Sequence, residues 1–145
     1  MRYRKAIFVI TYSETKKGIE YLLLKRKLHW SGWEFPKGGI EKEERIKSAI
    51  IREVKEETGL APIRIIKLNF KGKYKYKKTL KDRPGILGQT FNLYAAEVKK
   101  QKIKIDTLEH SDYKWALFKE ALKKLTWLNQ KKCLKIANSY LKHEI

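Results

Sequence analysis

The chain has 145 residues, enough for one compact domain with a hydrophobic core and too few for two of ordinary size. Its 42% hydrophobic and 12% aromatic content excludes a disordered chain, although 35% of the residues are charged. The 35 Lys and Arg against 16 Asp and Glu leave a net charge of +19, which favours polyanionic partners. Lys- and Ile-rich usage in proteins from hot environments gives the same surplus with no partner involved, and composition alone leaves both origins open. The single cysteine, Cys133, excludes an internal disulfide and a zinc site, and points to a reducing, cytoplasmic setting. The apolar run near the start is too short for a signal peptide or a membrane span, so no membrane partner is expected.

In chain order, Ala6 to Tyr12 and Tyr21 to Lys25 read as strands from their apolar or alternating character. "LHWSGWEFPKGG" (Leu28 to Gly39), with its glycines, proline and tryptophans, reads as an ordered loop. Glu43 to Thr58 is a helix with Gly59 as its C-terminal stop. Residues 62–78 give one or two strands broken near Gly72, and "KDRPGILG" a turn or long hairpin loop. Thr90 to Val98 is a third clear strand, followed by a short one around Tyr113 to Leu117. Helical spacing returns in "FKEALKKL" and in Lys131 to Leu141, where Leu134, Ala137 and Leu141 share a face. Interleaved strands and helices predict a mixed sheet covered by helices on both sides, with residues 1–145 forming one domain.

Charge is unevenly spread. Six of the 16 acids (Glu41, Glu43, Glu44, Glu53, Glu56, Glu57) lie between Gly38 and Leu60, and a basic stretch follows. On a wheel of roughly 100° per residue, Ile46, Ala49, Ile50 and Val54 form the apolar stripe of the helix. Glu53 and Glu57 fall on that stripe and Glu56 at its edge, whereas a solvated acidic patch would lie opposite. Clustered carboxylates on a half-buried face repel and lose hydration unless a cation compensates. Oxygen ligands of this kind suit magnesium, or manganese in its place. Upstream, the glycines of "PKGG" let the backbone approach a bound group, and Lys37 can reach a phosphate. Arg52 stands beside Glu53, positioned to orient a carboxylate. A metal beside a basic, glycine-bearing loop suggests polyphosphate chemistry.

From Gly38 to Leu60 the chain reads G-x5-E-x7-R-E-V-x-E-E-x-G-L. This resembles a complete Nudix box, with Gly38, Glu44, Arg52, Glu53, Glu56, Glu57, Gly59 and Leu60 at the fixed positions. The resemblance implies an α/β/α sandwich and magnesium-dependent hydrolysis of a nucleoside diphosphate linked to another group. It also implies a metal site of Gly38, Glu53, Glu56 and Glu57, and an orienting role for Arg52. The family's frequent glycine before the second conserved glutamate is replaced here by Glu43, at a position the motif does not fix.

Three features outside the box resemble the dinucleoside polyphosphate branch of the family. Tyr76 lies sixteen residues past Leu60, in "KGKYKYKK". "LYAAEVK" resembles a strand whose glutamate, Glu97 here, approaches the metals. "EHSDYKW" resembles E-H-x-x-Y-x-W, matched by Glu109, His110, Tyr113 and Trp115. In "KYKYKK", Tyr74 and Tyr76 share one strand face and the lysines the other. That pattern fits either a half-buried strand or a base-stacking tyrosine with phosphate-binding lysines. The candidate substrate contacts are thus Lys37, Lys75, Lys77, Tyr76, Glu109, His110 and Tyr113. A structural role is the alternative for His110, and packing the alternative for Tyr113 and Trp115. Glu53, Glu57, Glu97 and Glu109 are all possible general bases.

The leading expectation is asymmetric hydrolysis of diadenosine tetraphosphate to ATP and AMP. A pyrophosphohydrolase of the RNA 5′ end, faintly resembled by "GQT" at Gly88 to Thr90, and a nucleoside triphosphate or ADP-ribose pyrophosphatase are the alternatives. A nucleic-acid-binding module with a vestigial box is the reading outside enzymology; the intact glutamate set argues against it. Metal count and oligomeric state are not legible in the sequence.

Overall fold

The structure, a computed structural model, describes residues 2–41, 43–76 and 84–144. Its centre is a mixed sheet of seven strands: β1 (Arg2–Thr15), β2 (Gly18–Arg26), β3 (Gly32–Glu34), β4 (Lys37–Gly39), β5 (Arg64–Lys75), β6 (Ile86–Glu97) and β7 (His110–Leu117). Three helices cover it: α1 (Ile46–Thr58), α2 (Phe118–Lys124) and α3 (Leu128–Glu144). The main order is β3-β2-β1-β6-β5, with β4 also pairing β1 and β7 pairing β2. β1 and β6 run parallel, and the other pairs are antiparallel.

Ala6 to Ser13 of β1 are all buried, as expected of a central strand covered on both faces. Alternation divides them. Ala6, Phe8, Ile10 and Tyr12 pack with Leu134, Ala137 and Leu141 of α3, while Ile7 and Val9 pack with Ala49, Ile50 and Val54 of α1. Two apolar layers on one sheet give the expected α/β/α sandwich. Cys133 is buried in the α3 layer.

Several boundaries differ from the sequence expectation. "LHWSGWEFPKGG" holds two three-residue strands, because Glu34 pairs with Leu24 and Gly38 with Ile7. α1 starts at Ile46, after a turn in which Glu43 takes φ 63 and the Glu44 N–H donates to Glu41 O at 3.0 Å. Ile46, at the first helical position, is 40% exposed, so the buried stripe begins at Ala49. The helix ends as expected, with Gly59 at φ 77 donating its N–H to Lys55 O. β5 is one strand with a register shift between Lys67 and Lys71; at Gly72 a side chain would strike the Phe91 ring.

Candidate active site

Two buried glutamates of α1 meet the backbone of β4. Gly38 lies so close to the Glu53 carboxylate that a Cβ there would overlap it. One position earlier, the Lys37 N–H donates to Glu57 Oε2 at 3.1 Å. Glu53 and Glu57 are 9% and 3% exposed, while Glu56 is 57% exposed at the rim. The box spacing thus puts two carboxylates against the loop and leaves the third facing out.

Arg52 ties the site together. Its Nε and Nη2 each donate to Glu44 at 2.8 Å, a two-pronged grip, and its Nη1 donates to Glu53 Oε1 at 2.6 Å. Nη2 also reaches Gly39 O at 3.0 Å, and Nη1 lies 3.4 Å from Glu56 Oε2. The hydrogen bonds from Arg52, helped by the backbone at Glu41, pull the Glu44 carboxyl down to about 2. Glu53 behaves oppositely. Burial pushes it up to about 7 despite Arg52, with the charges of Glu56 and Glu109 adding to the rise. Glu57 is raised well above the usual carboxylate range, first by burial and then by Glu34, Glu53 and Glu109.

One arginine, spent mainly on Glu44, does not offset this cluster. The donor set fits a hard divalent cation: buried carboxylates that burial drives toward protonation, around a position where Gly38 leaves no room for a side chain. Glu53 and Glu57, with Glu56 at the rim, would hold it.

Below the glutamates lies a network that the sequence analysis missed. Glu34 is fully buried between Arg26 Nη1 at 3.2 Å, His110 Nε2 at 2.8 Å and Lys37 Nζ at 3.4 Å. Burial would raise its carboxyl, but Lys37, His110 and Arg26 outweigh that and hold it at about 2. The sequence offered only single charges without a period: Arg26 at the end of "YLLLKR" and Glu34 within "WEFP". Lys37, expected on a phosphate, is turned toward Glu34, and its ammonium lies 5.7–6.0 Å from the rings of Phe8, Tyr74 and Trp30.

A cleft of about 800 Å³ opens from Gly38 and Glu53. Arg4, Lys73 and Lys75 supply cations to its wall, Tyr74 and Tyr76 line one side, and Trp30 and Trp127 also line it. The Trp30 and Trp127 rings meet edge-on at 5.2 Å, and those of Tyr74 and Tyr76 at 6.1 Å. Tyr74, Trp30, Trp127 and Arg4 were not singled out as contacts; only the fold brings these distant segments to one cleft.

Among the predicted residues, Gly38, Glu53, Lys37, Lys75, Tyr76 and Glu109 line this cleft. Glu57 and Glu109 lie beside His110, with a ligand atom of each within 4.8 Å of the others. Three assignments need correction, the first being His110 as a substrate contact: it is fully buried against Glu34 and does not line the cleft. Glu97 is not brought to the box. It pairs with Tyr12 in the β1–β6 register, whereas Gly38 pairs with Ile7, the partner of Asn92. Five residues at about 3.3 Å each put Glu97 roughly 16 Å further along the strand. Glu34 and Glu109 are the acids from outside the box whose charges reach Glu57. Tyr113 does not line the cleft either; it packs with Trp115 against the α1-side core. Lys77 lies outside the described residues.

Carboxylates that call for a cation, opening onto a cleft walled with cations, fit metal-assisted chemistry on a polyphosphate. A NUDIX domain model matches residues 2–135, and the chain belongs to the Nudix family of hydrolases. Among curated proteins it is 34% identical over 136 residues to an RNA pyrophosphohydrolase of a Nitratiruptor species, covering 89% of this chain and 87% of that protein. Among solved structures it is similar to a NUDIX hydrolase from Listeria monocytogenes, with TM-score 0.79, 24% identity and coverage of 96% and 94%. It is also similar to a C. elegans Ap4A hydrolase binary complex, with TM-score 0.78, 22% identity and coverage of 97% and 98%. At these identities the two structures establish the fold. Among the described residues, no helix is long and apolar enough to cross a membrane.

Proposed function

We propose that this chain removes pyrophosphate from the 5′-triphosphate end of RNA, with magnesium or manganese held by Glu53, Glu56 and Glu57. The cation would screen the phosphate oxygens and lower the barrier to attack by water at phosphorus. Arg52 keeps the glutamates aimed at the Gly38 backbone, and Arg4, Lys73 and Lys75 bind the polyphosphate from the cleft wall. Glu109, on the cleft wall and close enough to raise Glu57, adds an acid from outside the box to this cluster.

The observation carrying the RNA reading is the edge strand β5. Lys67, Lys71, Lys73 and Lys75 are all exposed along it, and the last two enter the cleft wall. Opposite β6 the row runs from Tyr94 to Gly88, six residues at about 3.3 Å or roughly 20 Å, longer than a tetraphosphate and suited to a nucleic-acid backbone. The similarity to an RNA pyrophosphohydrolase over most of its length supports the same choice. This reverses the order of the two leading expectations from the sequence.

Dinucleoside tetraphosphate is the second reading, favoured by the two aromatic pairs, Tyr74–Tyr76 and Trp30–Trp127, which offer a platform for each base. A substrate panel with product chromatography separates the readings. Triphosphorylated RNA is expected to be turned over with kcat/KM at least about tenfold above its nucleoside triphosphate or diadenosine tetraphosphate, releasing pyrophosphate. Preference for the tetraphosphate, with one triphosphate and one monophosphate as products, would reverse the choice.

A further inference from the structure

We infer that the metal site of this chain includes a nitrogen ligand, with His110 joining Glu57 and Glu109 around a divalent cation. The inference rests on the metal-dependent reading and specifies it. One carboxylate oxygen from each glutamate and a ring nitrogen of His110 lie within 4.8 Å of one another, close enough to draw together on an ion. His110 is fully buried, and among the described residues its Nδ1 has no hydrogen-bond partner.

The other ring nitrogen explains what the free one is for. Nε2 lies 2.8 Å from Glu34 Oε2, and Glu34 also faces Arg26 and Lys37. Nε2 is taken up by that carboxylate, which leaves Nδ1 as the ring nitrogen without a partner among the described residues. Carboxylate on one nitrogen and metal on the other is the arrangement that fixes a ligating imidazole's tautomer and orientation. Glu34 is then a positioning residue, held in turn by Arg26.

The ligand set has a consequence for the metal. Two carboxylates alone suit magnesium or manganese, whereas an added imidazole favours iron, nickel or zinc in the divalent state, and Mn²⁺ serves as the paramagnetic probe. Pulsed electron paramagnetic resonance of the Mn²⁺-loaded protein reads this directly through ¹⁴N coupling. The expected result is imidazole coupling in the wild type, replaced by a ¹⁵N pattern after labelling with ¹⁵N-histidine. It persists in His29→Gln, which alters the histidine that lines the cleft on an exposed loop, and disappears in His110→Gln. His143 stands in the last turn of α3, whose first turn lines the cleft, about 20 Å away along the helix. Should His110→Gln fail to fold, the wild-type and His29→Gln spectra decide alone. Mn²⁺ bound without imidazole coupling, or coupling lost in His29→Gln, overturns the inference and leaves the hydrolase reading intact. No Mn²⁺ binding at all overturns both.

Discussion

Glu57 concentrates the problem that the site solves. Its carboxylate is buried, faces the charges of Glu34, Glu53 and Glu109, and has one backbone N–H, from Lys37, as compensation. Glu57→Gln keeps the shape and the acceptor for that N–H but removes one of the repelling charges. The metal-free variant is therefore expected to melt no lower than the wild type, and activity to fall at least about tenfold with loss of a metal ligand. Melting in chelator and steady-state rates in Mg²⁺ measure the two effects; a variant with undiminished rate would remove Glu57 from the metal site. At this scale the sequence was informative wherever residue types repeat with helical spacing. Glu53 and Glu57 were legible because their positions coincide with Ala49, Ile50 and Val54 on one face of α1. Glu34 was not, since a single acid in a three-residue strand has no period, and its partners Arg26 and His110 come from other strands.

For whole elements, register decided what sequence could foresee. β1, β2, β6 and α1 carry their own signals and were legible to within a few residues. β3 and β4 become strands only by pairing with β2 and β1. Glu97 looked like a metal ligand until the parallel pairing of β1 with β6 set it opposite Tyr12. The docking of α1 on β4 also fixes a pH dependence. Glu53 titrates at about 7 in the folded protein and Glu57 is shifted the same way, against a usual carboxylate value near 4.3 when unfolded. Between those limits the folded state binds protons that the unfolded state does not, so stability falls as pH rises. The contribution of this pair is fully present below about 4.3 and lost as pH climbs through about 7. In chelator, the melting temperature is expected to be higher at pH 5.5 than at pH 8, and divalent metal at pH 8 is expected to recover the difference. A metal-free protein equally stable at both pH values would mean the two carboxylates are not held as the structure has them.

The molecule as a whole carries +19, and the fold gives part of that charge a direction. Composition left two origins open, a polyanionic partner or a lysine-rich source. The edge strand β5 separates them, because Lys67 and Lys71 continue the line of Lys73 and Lys75 away from the cleft. Lys131 and Lys142, on α3, are outside that line and outside the cleft lining. If the charge reflects the source alone, the two sets are equivalent. If β5 is a track for an RNA backbone, each contacting lysine releases counterions from phosphate, and removing it flattens the dependence of binding on salt. Lys67→Ala with Lys71→Ala is expected to weaken binding of a triphosphorylated RNA of ten nucleotides. The slope of log affinity against log salt should fall by roughly 1 to 2. Turnover of a nucleoside triphosphate, too short to reach those lysines, should not change. Lys131→Ala with Lys142→Ala is the control and is expected to leave both measurements alone. Equal losses from the two pairs would point to diffuse attraction by net charge, and no loss from either would return the advantage to a small dinucleotide held within the cleft.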